Sequence, residues 1–205
     1  MAPRKYRMEN RKQAVEETRQ RIVNATVALH GQQGIIATSW EDIAQEADVA
    51  LATVYRHFPS LDELVPACGE HVVAIVKPPT LETAREAFRA AQPPADRIKI
   101  LLSQLFGFYN RGQTFLDVAL HEGNQVPSLA AWLAGWEASR KEIVAEAMKP
   151  FGVSESNVQM ILALTDFRVW RSLTDQNLTK DQAVEMLSAL LVQLLPEAPK
   201  ATPAD

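Results

Sequence analysis

The chain has 205 residues and 47% of them are hydrophobic, which suffices for one large or two small domains with a sizeable core. Its formal net charge of −4 at pH 7 excludes a protein that is polybasic throughout. A single cysteine, Cys68, excludes a disulfide framework and a cysteine-based metal site.

The N-terminus is locally basic. Residues 1–12 contain one acidic residue, Glu9, and five basic ones: Arg4, Lys5, Arg7, Arg11 and Lys12. Because of Pro3 and the dense charge, residues 1–10 are predicted to be disordered until they bind a partner. A basic arm on an acidic chain is typical of a protein that contacts phosphate with one end, and a merely solvated terminus is the alternative.

A first helix is predicted from about residue 11 to 31. Apolar or small side chains recur at helical spacing at Ile22, Thr26 and Leu29. Gly34 is expected to end this helix, because glycine readily adopts the left-handed conformation that follows a helix.

Residues 38–58 predict two short helices joined by a tight turn. Thr38 or Ser39 can cap the first helix, and Thr38 with Glu41 has the spacing of a capping box. Asp48 lies at the turn, where aspartate tolerates a left-handed backbone better than most residues. Such a pair is a helix-turn-helix, whose second helix can lie in a DNA major groove. A hairpin that merely packs a small core is the alternative.

This segment resembles the DNA-binding domain of TetR-type transcriptional repressors. The resemblance covers roughly residues 20–65 and depends on Thr38, Ser39, Glu41, Asp42, Ile43, Ala44, Val49, Thr53, Val54, Tyr55, His57 and Phe58. It implies phosphate contacts from Tyr55 and His57. Arg56 and Thr53 are the candidates for base edges, because arginine can bridge guanine O6 and N7 and the threonine methyl can meet thymine. The expected DNA-binding residues are Arg4, Lys5, Arg7, Thr38, Ser39, Trp40, Ala50, Leu51, Ala52, Thr53, Tyr55, Arg56 and His57.

The chain after the helix-turn-helix also predicts helices only. Ser60 and Glu63 have capping-box spacing at the start of a fourth helix, which runs to Val76 with a kink or break near Pro66. A boundary at residue 77 divides a DNA-binding domain, 1–76, from a C-terminal domain, 77–205. Further helices are expected near 81–91, 95–110, 113–122, 127–149, 155–175 and 180–195, and the tail from Pro196 to Asp205 is expected to be disordered. The predicted fold is all-α: a three-helix helix-turn-helix domain followed by a larger helical bundle.

Aromatic residues collect in the middle of the chain. The resemblance implies a pocket for a small-molecule effector there, formed by Phe106, Tyr109, Asn110, Phe115, Leu120, His121, Trp132 and Trp136, with Glu122 as a further polar group. A plain aromatic core is the alternative, because stripes at helical spacing are usually core.

The last two predicted helices carry apolar stripes. The helix near 180–195 is apolar over more than half its circumference and must therefore be buried on more than one side. The resemblance implies a four-helix bundle between two chains, formed by Ile161, Leu162, Thr165, Val169, Leu187, Leu190, Leu191 and Leu194. Burial within one chain is the alternative. A two-fold dimer implies a palindromic operator.

The sequence contains no catalytic or phosphate-loop motif, so no catalytic residue, cofactor or metal is expected. It also contains no membrane-spanning run and no signal peptide, which favours the cytoplasm. The leading hypothesis is a homodimeric repressor that leaves its DNA operator when a small apolar or aromatic effector binds. The alternatives are a DNA-binding regulator without an effector, and a helical enzyme or carrier with a vestigial helix-turn-helix.

Overall fold

The computed structural model describes the backbone of residues 4–89, 91 and 93–195, and the side chains from residue 8 onward. Within these residues every regular element is helical, which confirms the predicted all-α fold. The predicted tail beyond residue 195 lies outside the described residues. The helices are α1 Arg4–Gln33, α2 Trp40–Glu46, α3 Leu51–His57, α4 Leu61–Val76, α5 Leu81–Phe88, α6 Pro94–Glu122, α7 Pro127–Met148, α8 Glu155–Leu164, α9 Phe167–Asp175 and α10 Lys180–Val192, with a short 3-10 helix, Lys149–Phe151, after α7.

The first of two compact units ends at Lys77 but also includes residues 112–133, which the sequence-based division assigns to the C-terminal domain. The buried apolar faces of α1 to α4 meet in the main core cluster of this unit. The cluster consists of Ile22, Val23, Ala25, Val27, Ile43, Ala44, Ala47, Val54, Phe58, Leu64, Ala67 and Cys68. A smaller cluster joins Ile35 and Val65 to Val126.

Helix α1 is longer than predicted. It begins at Arg4, so residues 4–10 are helical and the expectation of disorder there is wrong. Residues 8–17 are all exposed, and the first buried side chain along the helix is that of Ile22. Residues 8–17 therefore place no side chain in the core. Gly34, with φ of +89°, follows the last helical residue, as expected.

Helix α4 runs without a break from Leu61 to Val76 through Pro66, so of the predicted kink or break the break is wrong. Proline removes one hydrogen bond, but Val65 and Ala67 on either side of it are buried and hold the helix against the core. The predicted capping box at its start is also wrong, because the Ser60 side chain makes no capping hydrogen bond.

The second unit comprises residues 78–111 and the chain from residue 134. α6 continues through Gly112, where the sequence predicted a separator. The helix predicted over 155–175 is instead divided at Thr165, since Asp166 accepts a hydrogen bond from the Arg168 amide and caps a new helix, α9. None of the helices in the described part of the chain is long and apolar enough to cross a membrane.

Candidate nucleic-acid interface

Helix α2 begins with a reciprocal cap. The Asp42 amide donates to Ser39 Oγ at 3.1 Å, and the Ser39 amide donates to Asp42 Oδ2 at 3.0 Å. The capping box thus joins Ser39 to Asp42, not Thr38 to Glu41, and Thr38 instead donates its hydroxyl to the Gly34 carbonyl at 2.6 Å. Hydrogen bonds from the side chain and backbone of Ser39 lower the pKa of Asp42. The resulting negative charge suits a helix N-terminus.

The turn between α2 and α3 has the conformation that the sequence predicted. Asp48 has φ of +51°, in the left-handed region, and its amide donates to Gln45 O at 3.1 Å. The Val49 amide donates to Ala44 O at 3.0 Å. This tight reversal lets the buried Val54 pack in the same core cluster as Ala44.

The outward side of α3 carries the side chains that were predicted to contact DNA. Ala50, Ala52, Tyr55 and Arg56 are exposed, whereas Leu51, Thr53 and His57 are half-buried. Ala50 is the N-cap residue and its side chain makes no capping hydrogen bond, because alanine has no acceptor. The first turn of α3 therefore exposes mainly apolar groups, and the exposed polar groups, Tyr55 and Arg56, belong to its second turn.

The predicted DNA-binding residues at the start of α2 differ in exposure. Ser39 is exposed, while Thr38 and Trp40 are half-buried. The Trp40 and Tyr55 rings lie 5.0 Å apart between centroids, so the indole supports the tyrosine from the neighbouring helix. The contact orients the Tyr55 ring, which is 42% exposed.

The positive charge of α3 comes from Arg56, and at pH 7 His57 adds none. Burial lowers the pKa of His57, and the charges of Arg56 and Arg19 lower it further. His57 is therefore a neutral imidazole, which can donate or accept one hydrogen bond. Arg19 lies over the Phe58 ring, with its guanidinium carbon 4.9 Å from the ring centroid.

The basic arm belongs to α1. The side chains of Arg4, Lys5 and Arg7 lie outside the described residues, whereas those of Arg11 and Lys12 are exposed. The backbone from Arg4 is helical. The arm is thus a continuation of α1.

The predicted effector residues fall into both units. Phe115, Leu120, His121 and Trp132 belong to the first unit, and Phe115 packs against its main core. His121 is exposed there. Glu122, which the sequence grouped with a possible ligand, instead binds the chain itself: its Oε2 accepts from the Ile35 amide at 2.8 Å.

Phe106, Tyr109 and Trp136 come together in the second unit, whereas Asn110 is exposed. Tyr109 lies at the centre of an aromatic cluster, with five rings between 5.5 and 6.5 Å from its own: Phe106, Phe108, Trp136, Phe167 and Trp170. Burial raises the pKa of Tyr109 well above its usual value. Its hydroxyl therefore stays protonated and donates to the Thr165 carbonyl at 3.0 Å.

Sequence reasoning missed Arg140, which is 4% exposed on α7. Its guanidinium donates to the Leu162 carbonyl and to Thr165 Oγ1, and also pairs with Glu137. The arginine thus binds the end of α8 close to the carbonyl that Tyr109 contacts. The spacing of Glu137 and Arg140, one helical turn apart, is the signal that could have found it.

An open groove of about 570 Å³ lies elsewhere in the second unit. It is lined by Ala91, Asp96, Lys99, Ile100, Ser103 and Gln104, so none of the predicted effector residues lines it. The Gln104 Oε1 atom is buried and has no hydrogen-bond partner among the described residues.

Most of the residues predicted for dimerisation pack inside the chain. Ile161, Leu162, Thr165, Leu187 and Leu191 are buried, Val169 and Leu194 are half-buried, and Leu190 is 45% exposed. A side chain fully buried in one chain has no surface left for a second chain. Among the described large apolar residues of α8, α9 and α10, Met160, Met186 and Leu190 are those that remain exposed.

Comparison with known proteins identifies the helix-turn-helix. The sequence model of the family "Bacterial regulatory proteins, tetR family" matches residues 22–68. The chain is 35% identical over 96 residues to the HTH-type transcriptional repressor KstR of Rhodococcus jostii. The matched segment covers 45% of this chain and 41% of KstR. It is 28% identical over 127 residues to the HTH-type transcriptional regulator BetI of Paraburkholderia phymatum, covering 62% of this chain and 57% of BetI. The matches thus span about half the length of these relatives.

Solved structures show the fold over a larger part of the chain. The multidrug binding protein EbrR, crystallised with imidazole, superposes with a TM-score of 0.61 at 22% identity and covers 90% of this chain and 98% of its own. A transcriptional regulator from Rhodococcus sp. Rha1 has a TM-score of 0.65 at 16% identity and covers 88% of this chain and 99% of its own. At these identities the likeness concerns the fold.

Proposed function

We propose that this chain, whose residues 22–68 match the sequence model of the TetR family of bacterial regulatory proteins, is a DNA-binding regulator of that family and a ligand-responsive repressor. As a homodimer it binds a palindromic operator and leaves it when a small apolar or aromatic effector binds. Its curated relatives are transcriptional regulators, so the chain is not an enzyme.

The observation that carries the proposal is the outward side of α3. Tyr55 and Arg56 are exposed there while Val54 is buried in the core, so the helix holds its place and still presents polar groups. Arg56 is the group able to bridge guanine O6 and N7, and Tyr55 and His57 are assigned to phosphates. Two such helices in a two-fold dimer read two half-sites, which is why the operator is a palindrome.

Selection of DNA duplexes from a random-sequence library by the wild-type protein tests DNA binding and reveals any palindrome. Arg56→Ala is expected to weaken binding of the selected duplex by about 1–3 kcal/mol and to relax the base preference at one position of each half-site. Arg89→Ala is the matched control, because Arg89 is exposed in the second unit and pairs there with the exposed Glu86. Recovery of no preferred duplex at low salt contradicts the proposal.

The homodimer is assigned to the exposed apolar residues of α8 and α10. Met186 and Leu190 are one helical turn apart on α10, and Met160 on α8 is 50% exposed. A charge on this surface is expected to separate the subunits, since a buried unpaired charge is costly. Met186→Glu should sediment as a monomer, whereas Gln125→Glu, exposed in the turn after α6, should remain dimeric. A wild-type monomer at micromolar concentration contradicts this assignment.

The effector is placed in the second unit, where apolar and aromatic side chains concentrate. The aromatic cluster around Tyr109 and the open groove beside Lys99 support a site for an apolar or aromatic molecule. Release of the selected duplex is the measurement, with a panel of aromatic and aliphatic compounds added to the complex. A compound that releases wild-type DNA should lose this effect in Trp136→Ala, a half-buried member of the cluster, while Arg85→Ala, an exposed residue of the same unit, should respond as the wild type does.

A specific observation favours the second candidate, a regulator without an effector. Phe106, Phe108, Tyr109 and Trp170 are each at most 1% exposed, and their rings contact one another or a shared neighbour. A cluster filled by its own side chains leaves no room for a ligand without rearrangement. If no compound in the panel changes DNA affinity while the dimer and the operator are confirmed, this second candidate replaces the first.

A further inference from the structure

We propose that Glu122 is a positioning residue for DNA binding: its carboxylate holds the α1–α2 turn, residues 34–39, in the conformation that presents α2 and α3. The inference rests on the proposed DNA binding and adds to it a residue that lies far from the helix-turn-helix in sequence. Glu122 is the last residue of α6 and belongs to the same compact unit as the turn.

The carboxylate binds the backbone of the turn directly. Glu122 is 7% exposed, and its Oε2 accepts from the Ile35 amide at 2.8 Å and from the Ile36 amide at 3.3 Å. Bonds from amides to a charged acceptor are stronger than neutral ones. An apolar side chain at position 122 would leave a buried amide unpaired, which destabilises a protein more than loss of an exposed contact does.

Gly34 shows that the turn is built around this carboxylate. A Cβ atom on Gly34 would lie 2.2 Å from Glu122 Oε1, closer than non-bonded atoms approach. Gly34 also has φ of +89°, which side chains disfavour. A side chain at position 34 would therefore displace the carboxylate from its present position.

The turn passes this constraint on to α2. The Thr38 hydroxyl donates to the Gly34 carbonyl at 2.6 Å and the Thr38 amide to the Ile35 carbonyl at 3.2 Å. Ser39, the next residue, caps α2. Ile35 is itself buried against Val65 and Val126. Movement of the residues held by Glu122 would hence move the start of α2.

The test compares Glu122→Gln and Glu122→Ala with Val23→Ala, a buried α1 side chain in the main core cluster. DNA affinity is measured on the duplex that the wild-type protein selects, at a temperature where circular dichroism shows every variant folded. Hydrogen exchange of the Ile35 and Ile36 amides is measured in parallel. Glutamine keeps the size and one acceptor oxygen, so it isolates the charge.

The expected result is that both Glu122 variants exchange these two amides faster and bind DNA more weakly. The effect should be about 10-fold for glutamine, which loses the charge of the acceptor, and larger for alanine, which loses the acceptor itself. Val23→Ala should lower thermal stability yet keep DNA affinity within about 2-fold, because it leaves the hydrogen bonds of the turn in place. Wild-type affinity in folded Glu122→Gln, or unchanged exchange, overturns the proposal.

A double variant ties the carboxylate to Gly34. Gly34→Ala should weaken DNA binding less in the Glu122→Ala background than in the wild type, because the collision with Oε1 is gone while the strain of the positive φ remains. Equal losses in both backgrounds would refute the link. If the wild-type protein selects no duplex, the proposed function fails instead, and the exchange rates alone then decide whether Glu122 holds the turn.

Discussion

Acid should destabilise this protein through His30. The side chain lies in the last turn of α1 and is 6% exposed, and its Nε2 atom has no hydrogen-bond partner among the described residues. Burial lowers the pKa of His30 from 6.5 to about 4, because the imidazolium would lose its hydration. The folded chain therefore holds His30 neutral at pH 5, where the unfolded chain protonates it.

The sign and size of the effect follow from this difference. Between the two pKa values the unfolded state binds more protons, so stability is full above pH 6.5 and falls as the pH drops toward 4. One unit of pKa difference corresponds to about 1.4 kcal/mol, and the loss reaches about 2 kcal/mol at pH 5 and about 3 kcal/mol at pH 4.

His30→Leu removes the titrating group while keeping an apolar side chain in the core. Urea unfolding at pH 7.5 and pH 5 should show the variant gaining about 2 kcal/mol relative to the wild type on acidification. His57 also has a lowered pKa, but it is present in both proteins and cancels in the comparison. His121→Asn, at an exposed position, is the control for the loss of a histidine as such. An equal gap between wild type and His30→Leu at both pH values would refute the reasoning.

Three further predictions concern unfolding free energies, measured by urea titration at pH 7.5. Ser39→Ala removes the side-chain cap of α2 and should cost about 1 kcal/mol, whereas Ser39→Asp should restore most of it; an alanine variant as stable as wild type contradicts the cap. Tyr109→Phe removes the hydrogen bond to the Thr165 carbonyl and should cost about 1 kcal/mol with the aromatic packing intact, and no loss would mean that the bond contributes nothing. Gly123→Ala places a Cβ 2.6 Å from a backbone oxygen and should cost about 1–3 kcal/mol, while Gly135→Ala, with open space around its Cβ in α7, should stabilise by up to about 1 kcal/mol. The opposite order of the two glycine variants would contradict these contacts.

The helix-turn-helix was predictable because its signals are local. Gly34 and Asp48 adopt the positive φ angles that their residue types favour, and helix boundaries fall beside them. The spacing of Ile43, Ala44 and Val54 marks the buried faces, and all three are in the core. Capping was harder to place: a hydroxyl at either 38 or 39 could cap α2, and the choice of Ser39 depends on the path of the turn.

The errors lie where packing overrides local preference. Pro66 and Gly112 are residues that usually interrupt helices, yet α4 and α6 continue through them. Each of these residues weakens its helix at a single position, and the burial of neighbouring side chains along the helix outweighs that loss. Conversely, the division of α8 from α9 at Thr165 has no glycine or proline to mark it, and its carbonyls are bound by Arg140 and Tyr109 from other helices.

By itself, the sequence determined the helical class, the helix-turn-helix and the residues on the outer side of α3, since periodicity, caps and turn residues act within a few positions. Only the tertiary structure decided which apolar stripes are core. Leu187 and Leu191 are buried in the chain while Leu190 is exposed, and the hydrophobic pattern does not distinguish these cases. The tertiary structure alone also brought Glu122 to the amides of Ile35 and Ile36, which lie 87 and 86 positions away in the sequence. Such a pairing depends on how whole helices pack, and no local pattern encodes it.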